Sequence, residues 1–393
     1  MNRHPKRMLL LFSDTGGGHR SSACAVAEAL QDMYAEQVQV DLLDALNYAP
    51  WPLHRLDTIY PYMVRMRGWP WVICYRLSDG PRRAACLATA FWPWIRSPLL
   101  RLLREHPADV ILSCHPAFNH VVLRGLNLAA TGAPLITLVT DLATAHALWI
   151  NPRVHHCLVP TPGGRQCALT YGLPAPRVVV TGLPVSSRFT TTAREDSLAV
   201  RQRLGIAPHL PMVLLVSGAE GMGPVHHLCQ RITNSGISAQ LVVIAGRNER
   251  LRTQLSAAAW PLPVRVEGFV NNMHEWMRAA DLLVTKAGPS TVSEALVMGL
   301  PMVLSGALPG QEHPNVDYIV QSGAGVWAPT PSKVTHAVCR LVTNPQRLAE
   351  MAARAQALGQ PDAARRVAEI MWEIACRARN GAIPAQTAPH RAP

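Results

Sequence analysis

From Met212 to Ser305 the sequence switches at short intervals between apolar runs of four to six residues and longer amphipathic stretches, and that alternation admits few folds. Met212–Ser217, Gln240–Ala245, Val264–Glu267, Asp281–Thr285 and Pro301–Ser305 read as strands with helices between them. Strands that return through helices cross over right-handed and are covered on both faces, so the segment predicts a mostly parallel sheet. The first half repeats the pattern less cleanly, at Met8–Ser13, Val38–Leu43, Asp109–Cys114, Leu135–Thr140, His156–Pro160 and Arg177–Thr181. A chain of 393 residues exceeds one core, which stops growing near roughly 250–300 residues. With 49% hydrophobic and 16% charged residues it is neither disordered nor a coiled coil. The expectation is an α/β chain of two facing, doubly wound Rossmann-like domains, 1–187 and 188–378. The boundary falls within Pro184–Pro208, and an Ala/Pro-rich tail, 379–393, is expected to be disordered. Ligands of such sheets bind at the carboxyl ends of the strands, here in the cleft between the domains.

The formal charge of +12 asks for a polyanionic partner: nucleic acid, an anionic membrane or a phosphate-bearing substrate. Its location narrows the choice. Residues 51–104 carry nine arginines against Asp57 and Asp79, and five of the ten tryptophans. Arg mixed with Trp and Pro suits a segment lying in a membrane interface, which nominates Trp69, Trp71, Trp92, Trp94, Arg82, Arg83 and Arg96 as membrane contacts. No apolar run is long enough to span a bilayer, and Met1–Arg7 leads directly into a strand, with no signal-peptide core. A peripheral protein at the cytoplasmic face of a membrane is expected. No nucleic-acid motif accompanies the basic cluster. The nine cysteines are scattered and read as reduced thiols, and the His155/156 and His226/227 pairs lack a third ligand, so no metal is assigned.

Three loops could carry chemistry. After the first strand, Asp14-Thr15-Gly16-Gly17-Gly18-His19-Arg20 breaks into a helix, with Gly17 and Gly18 permitting a tight turn and close approach of a ligand. His19 titrates near working pH and is placed for proton abstraction; a plain strand-to-helix turn is the other reading. Ser217-Gly218-Ala219-Glu220-Gly221-Met222-Gly223 resembles a phosphate cradle without a Walker lysine or GxGxxG spacing, so a nicotinamide cofactor is not expected. Arg247 follows the next strand, where it could face a diphosphate. In the third loop, Thr285 to Leu296 places Gly288, Ser290, Thr291 and Glu294 at a helix start. Glu294 could accept two ribose hydroxyls from the first helical turn, or close a capping box with Thr291. Gln311 and Glu312 suit a sugar ring, or form a solvated polar loop.

Taken in order, SDTGGGHRSS (13–22), Thr140-Asp141-Leu142, Gly182-Leu183-Pro184, Glu220–Gly223, Gly246-Arg247-Asn248, Gly268-Phe269-Val270 with Glu275-Trp276-Met277, and Lys286-Ala287-Gly288-Pro289 through Glu294 resemble the monogalactosyldiacylglycerol synthase and processive diacylglycerol glucosyltransferase family, of glycosyltransferase family 28. The resemblance runs from about Met8 to Ala375 and implies a GT-B fold and an inverting, metal-independent transfer of galactose or glucose from UDP-galactose or UDP-glucose to diacylglycerol at an anionic membrane surface. It needs no cofactor, with anionic lipid as an activator left open. It makes His19 the base on the glycerol hydroxyl and Glu294 the ribose ligand, with Gln311 and Glu312 on the sugar, Phe269 and Val270 along the uracil, and Ser217, Gly218, Gly221 and Gly223 on the diphosphate. Asp141, His146 and Trp149 would belong to the acceptor side. Transfer to a polyprenyl-linked acceptor and UDP-sugar 2-epimerisation share the fold and stay open, although an epimerase would not need the Arg/Trp segment.

Overall fold

The computed structural model describes residues 4–14, 17–51, 54, 69–221 and 223–378, with the side chains of 69–71 and 378 left aside. It divides into two compact units, Met1–Ser186 with Asp362–Pro393, and Ser187–Pro361. The expected tail at 379–393 lies outside the described residues.

In the first unit six parallel strands run β1 (Lys6–Phe12), β2 (Val38–Asp44), β3 (Val110–Ser113), β4 (Leu135–Leu138), β5 (His156–Val159) and β6 (Val178–Val180), in the spatial order β2-β1-β3-β4-β5-β6. Alternation along β1 explains why Met8–Phe12 is apolar throughout. Leu9 and Leu11 join one core with the helices Pro81–Glu105 and Asn119–Ala129, while Met8, Leu10 and Phe12 join another under the helix Gly18–Tyr34. That second core also takes Ala364, Val367, Ala368, Met371, Ile374 and Ala375 from the helix Ala363–Ala378. The expected end of the second domain at 378 is corrected accordingly. The contacts divide the chain after Ser186, and the last helix belongs to the first unit because its apolar stripe matches the open face beside Gly18–Tyr34.

The second unit repeats the architecture with β7 (Met212–Val216), β8 (Gln240–Ile244), β9 (Val264–Glu267), β10 (Leu282–Lys286), β11 (Met302–Gly306) and β12 (Gly325–Trp327), ordered β12-β11-β10-β7-β8-β9 and all parallel. Eleven of these twelve strands are legible in the sequence. The missing one, β12, is a three-residue edge strand too short to show a period.

Residues 69–105 form two helices, Trp69–Ser78 and Pro81–Glu105, and the second continues through Pro93 and Pro98 for 25 residues. Pro93 and Pro98 each remove a backbone donor without ending the helix. Among the described residues no helix is long and apolar enough to cross a membrane.

Candidate functional site

A parallel sheet uses its own amides in pairing and leaves chemistry to the loops at its carboxyl edge. Where the strand order reverses, neighbouring loops part and open a crevice. In the first unit that point lies between β1 and β3, and each strand delivers an imidazole to it. Gly17, at φ 77°, is the left-handed cap from which the helix Gly18–Tyr34 departs, so His19 stands in its first turn. Its Nδ1 lies 2.7 Å from the Thr140 hydroxyl. The His115 ring meets it edge-on at 4.6 Å between centroids, and the Trp149 ring lies 5.9 Å away. His19 keeps some contact with solvent, yet the protein packed around it disfavours the charged ring. Burial takes its pKa down from 6.5 to about 4, against a smaller upward pull from a hydrogen bond to the Cys114 backbone. Burial also holds His115 well below its usual value, helped by His19. The Ala117 N–H donates to His115 Nδ1 at 3.3 Å, which leaves the hydrogen of the neutral ring on Nε2. Both imidazoles are thus neutral near pH 7, the state in which a ring nitrogen can accept a proton.

Three residues expected on the acceptor side hold this site from below. Trp149 is 1% exposed, and its Nε1–H donates to the buried Asp141 Oδ2 at 2.7 Å. His146 accepts from the Leu148 N–H at Nδ1 (3.1 Å), so Nε2 carries hydrogen and donates to the Tyr75 carbonyl at 2.9 Å. With its polar atoms engaged and its ring buried, His146 ties the loop after β4 to the helix Trp69–Ser78. Neither His146 nor Trp149 is open to an acceptor, which corrects their expected role. They support the loop that carries Thr140. Asp79 adds to the same tie, accepting from the Ala147 N–H at 3.1 Å and the Tyr171 hydroxyl at 2.9 Å. His115 and Asp79 were not picked out from the sequence. The signal available for His115 was its place just after an apolar strand, as in Cys114-His115-Pro116.

On the two helices of 69–105, Arg82, Arg83 and Arg96 are exposed. Trp94 is 63% exposed and lies beside the partly exposed Phe91, and Ile73 and Leu77 are exposed as well. Trp92 corrects the expectation. It is 6% exposed, belongs to the core and carries the Arg124 guanidinium over its ring at 4.6 Å, because two residues along a helix turn a side chain to the other face. The side chains of Trp69 and Trp71 lie outside the described residues.

In the second unit the order reverses between β7 and β10, and the loops that follow these strands are the two Gly-rich ones. The loop after β7 interlocks with the loop after β8. A Cβ on Gly246 would come within 2.4 Å of the Ala219 carbonyl, and one on Gly221 within 2.3 Å of the Ala245 carbonyl. The Arg247 N–H donates to that Ala219 carbonyl at 2.8 Å. The approach presents Arg247 beside Phe269, its guanidinium 4.9 Å from the ring centre and bonded to Glu220 at 2.9 Å. Phe269 is 54% exposed, an open aromatic face with a cation on it, and Val270 next to it is partly exposed. Ser217 spends its hydroxyl on the Ile244 carbonyl at 2.9 Å. Gly218 and Gly223 adopt left-handed backbone at φ 77° and 102°, and Met222 lies outside the described residues.

The helix Pro289–Met298 begins after Gly288 with no acidic residue in its first turn and no side-chain cap, so its positive end is unneutralised by its own sequence. Ser290 and Thr291 stand in that first turn, both partly exposed. The Thr291–Glu294 capping box is not formed. Glu294 lies in the second turn, a correction to its expected place in the first, and burial raises its carboxyl from 4.5 to about 8. Between those values the folded protein holds a proton that the unfolded chain releases, so stability falls as pH rises through that interval. Thermal melting should therefore show the parent losing ground to Glu294→Gln as pH rises towards 8; parallel curves would contradict the assignment.

Gln311 is partly exposed and Glu312 is buried, with both carboxylate oxygens occupied. Oε2 accepts from the Leu308 N–H at 2.7 Å and Oε1 from Lys286 Nζ at 3.0 Å. Lys286 ends β10 and opens the Lys286-Ala287-Gly288-Pro289 motif. Among the described residues no group of three or more His, Cys, Asp and Glu could hold a metal ion, and the nine cysteines are free.

Comparison with known proteins assigns both units. The family model of monogalactosyldiacylglycerol (MGDG) synthase matches residues 19–185, and that of the glycosyltransferase family 28 C-terminal domain matches 224–367. Monogalactosyldiacylglycerol synthase 1, chloroplastic, of Arabidopsis thaliana is 34% identical over 384 residues, covering 94% of this chain and 71% of the relative. Monogalactosyldiacylglycerol synthase 3, chloroplastic, of the same plant is 35% identical over 372 residues, 91% and 79% of the two chains. Among solved structures, MurG of Acinetobacter baumannii superposes with a TM-score of 0.63 at 19% identity, covering 94% of this chain and 100% of that one. The UDP-GlcNAc 2-epimerase of Neisseria meningitidis bound to UDP-GlcNAc gives 0.60 at 13% identity, covering 93% and 100%. At such identities these two structures establish the shared fold.

Proposed function

Since this chain belongs to the monogalactosyldiacylglycerol synthase family, we propose that it is a GT-B glycosyltransferase that moves galactose from UDP-galactose to 1,2-diacylglycerol with inversion, giving a β-monogalactosyldiacylglycerol. The observation that carries the reading is the neutral His19 imidazole at the switch point of the first sheet, 2.7 Å from Thr140. In the reaction a ring nitrogen of His19 takes the proton of the acceptor hydroxyl. The freed oxygen pair bonds to the anomeric carbon, and the bond from that carbon to the diphosphate oxygen breaks with its electron pair on UDP. Charge then grows on the leaving diphosphate. Backbone amides of 217–221, the unneutralised start of the helix Pro289–Met298 and Arg247 supply positive potential for it. Phe269 and Val270 border the uracil, Glu294 takes the ribose, and Gln311 with Glu312 takes the hexose. The protonated form of Glu294 can both donate to and accept from hydroxyls, which suits a diol. This scheme requires no metal.

The membrane reading rests on Ile73, Leu77, Phe91 and Trp94 exposed together with Arg82, Arg83 and Arg96. Apolar side chains enter the interface while guanidiniums stay at headgroup level. The protein works peripherally at the cytoplasmic face of an anionic membrane. The test is UDP release from UDP-galactose on vesicles with and without diacylglycerol. Release should require diacylglycerol, increase when anionic lipid is added and weaken with salt. Release of equal size from vesicles lacking diacylglycerol would overturn the acceptor assignment.

A further inference from the structure

A buried carboxylate is costly unless charge and hydrogen bonds compensate it, and among the described residues the Leu308 N–H and the Lys286 ammonium compensate Glu312. The lysine is the movable one. Its side chain is 47% exposed, against 6% for Glu312. Its stem runs past both Gly-rich loops at the switch point, with Cε 3.4 Å from where a Cβ on Gly288 would sit and 3.9 Å from one on Gly218. Lys286 therefore stands with Glu312 on one side and, on the other, the loop Ser217–Gly221 that the reading above gives to the diphosphate.

We propose that Lys286 exchanges partners during the reaction cycle. Its ammonium holds Glu312 in the arrangement seen here and turns to the donor's diphosphate on binding. Glu312 then needs new hydrogen-bond donors, and the hexose hydroxyls provide them. The exchange makes the diphosphate and the hexose depend on each other. After transfer, UDP no longer brings a hexose, Glu312 draws Lys286 back, and the product is loosened. The proposal rests on the donor-site reading and adds to it a residue and a reason for product release.

The test is titration calorimetry of UDP and of uridine on the full-length parent, Lys286→Met, Glu312→Gln and the double variant. In the Glu312→Gln background, where no carboxylate draws the lysine back, a hydrogen bond to a charged group predicts that adding Lys286→Met weakens UDP by about ten- to a hundredfold, with uridine unchanged. The double variant leaves no stranded carboxylate, so it folds without that penalty and reads this loss directly against Glu312→Gln. Glu312→Gln alone should bind UDP more tightly than the parent, and Lys286→Arg should recover part of the affinity. A double variant that binds UDP as tightly as Glu312→Gln would mean that Lys286 serves Glu312 alone, and would overturn the proposal. So would Glu312→Gln with unchanged UDP affinity. A parent that binds no UDP would instead overturn the donor-site reading itself, an outcome distinct from both.

Discussion

A His19→Ala variant is expected to lose between about a hundredfold and ten-thousandfold in kcat, the usual contribution of a positioned general base, while binding UDP as the parent does. The imidazole belongs to the first unit, with Thr140 and His115 around it. The pH dependence is distinctive. An ordinary histidine base protonates near 6.5, but burial holds His19 at about 4, so activity should persist as pH falls below 6.5. Stability moves the other way. In that window the unfolded chain binds a proton that the folded site refuses, so the folded state loses stability as pH drops from 6.5 through 4. An acid limb of kcat/KM centred near 6.5, or near-normal turnover of His19→Ala, would remove His19 from the mechanism.

Trp149→Ala should be the most destabilising single substitution of those considered, by about 3–5 kcal/mol, the cost of emptying a large aromatic site in a closed core. The indole is 1% exposed and donates to the buried Asp141, so its removal also takes a hydrogen bond from that carboxylate. Trp149→Phe restores part of the volume but not the donor, and should fall between the two. Trp94→Ala is the counterpart. At 63% exposure it should change stability by no more than about 0.5 kcal/mol while weakening vesicle attachment. Denaturant midpoints measure all three, and equal midpoints for Trp149→Ala and Trp94→Ala would contradict the burial pattern.

The contrast among the tryptophans shows where a sequence stops informing. Trp92 and Trp94 share one apolar run and one composition, but a helix turns them to opposite faces, one into the core under Arg124 and one to solvent. Composition located the surface segment and could not say which ring faces out. The strands were legible because a parallel strand buried on both faces is a continuous apolar run, as Met8–Phe12 and Met212–Val216 are. The order of those strands was not written in any one run, and the order is what makes the loops after β1 and β3, and after β7 and β10, into crevices. His19 could therefore be nominated from Gly17-Gly18-His19, whereas His115, 96 positions later, could not, because only pairing of β1 with β3 brings them together. Lys286 was hidden for another reason. A lysine ending a strand reads as a solvated charge until its buried partner, Glu312, is seen 3.0 Å away. The helix Ala363–Ala378 was assigned by sequence proximity to the second unit, although its apolar stripe fits the first.

The most direct test offers the purified protein UDP-galactose and UDP-glucose together with vesicles containing diacylglycerol and anionic lipid, and identifies the lipid formed by mass spectrometry and the anomeric coupling in its NMR spectrum. The account predicts a β-linked monogalactosyldiacylglycerol, made in amounts that match the UDP released. UDP release with no glycosylated diacylglycerol, or an α-linked product, would contradict it.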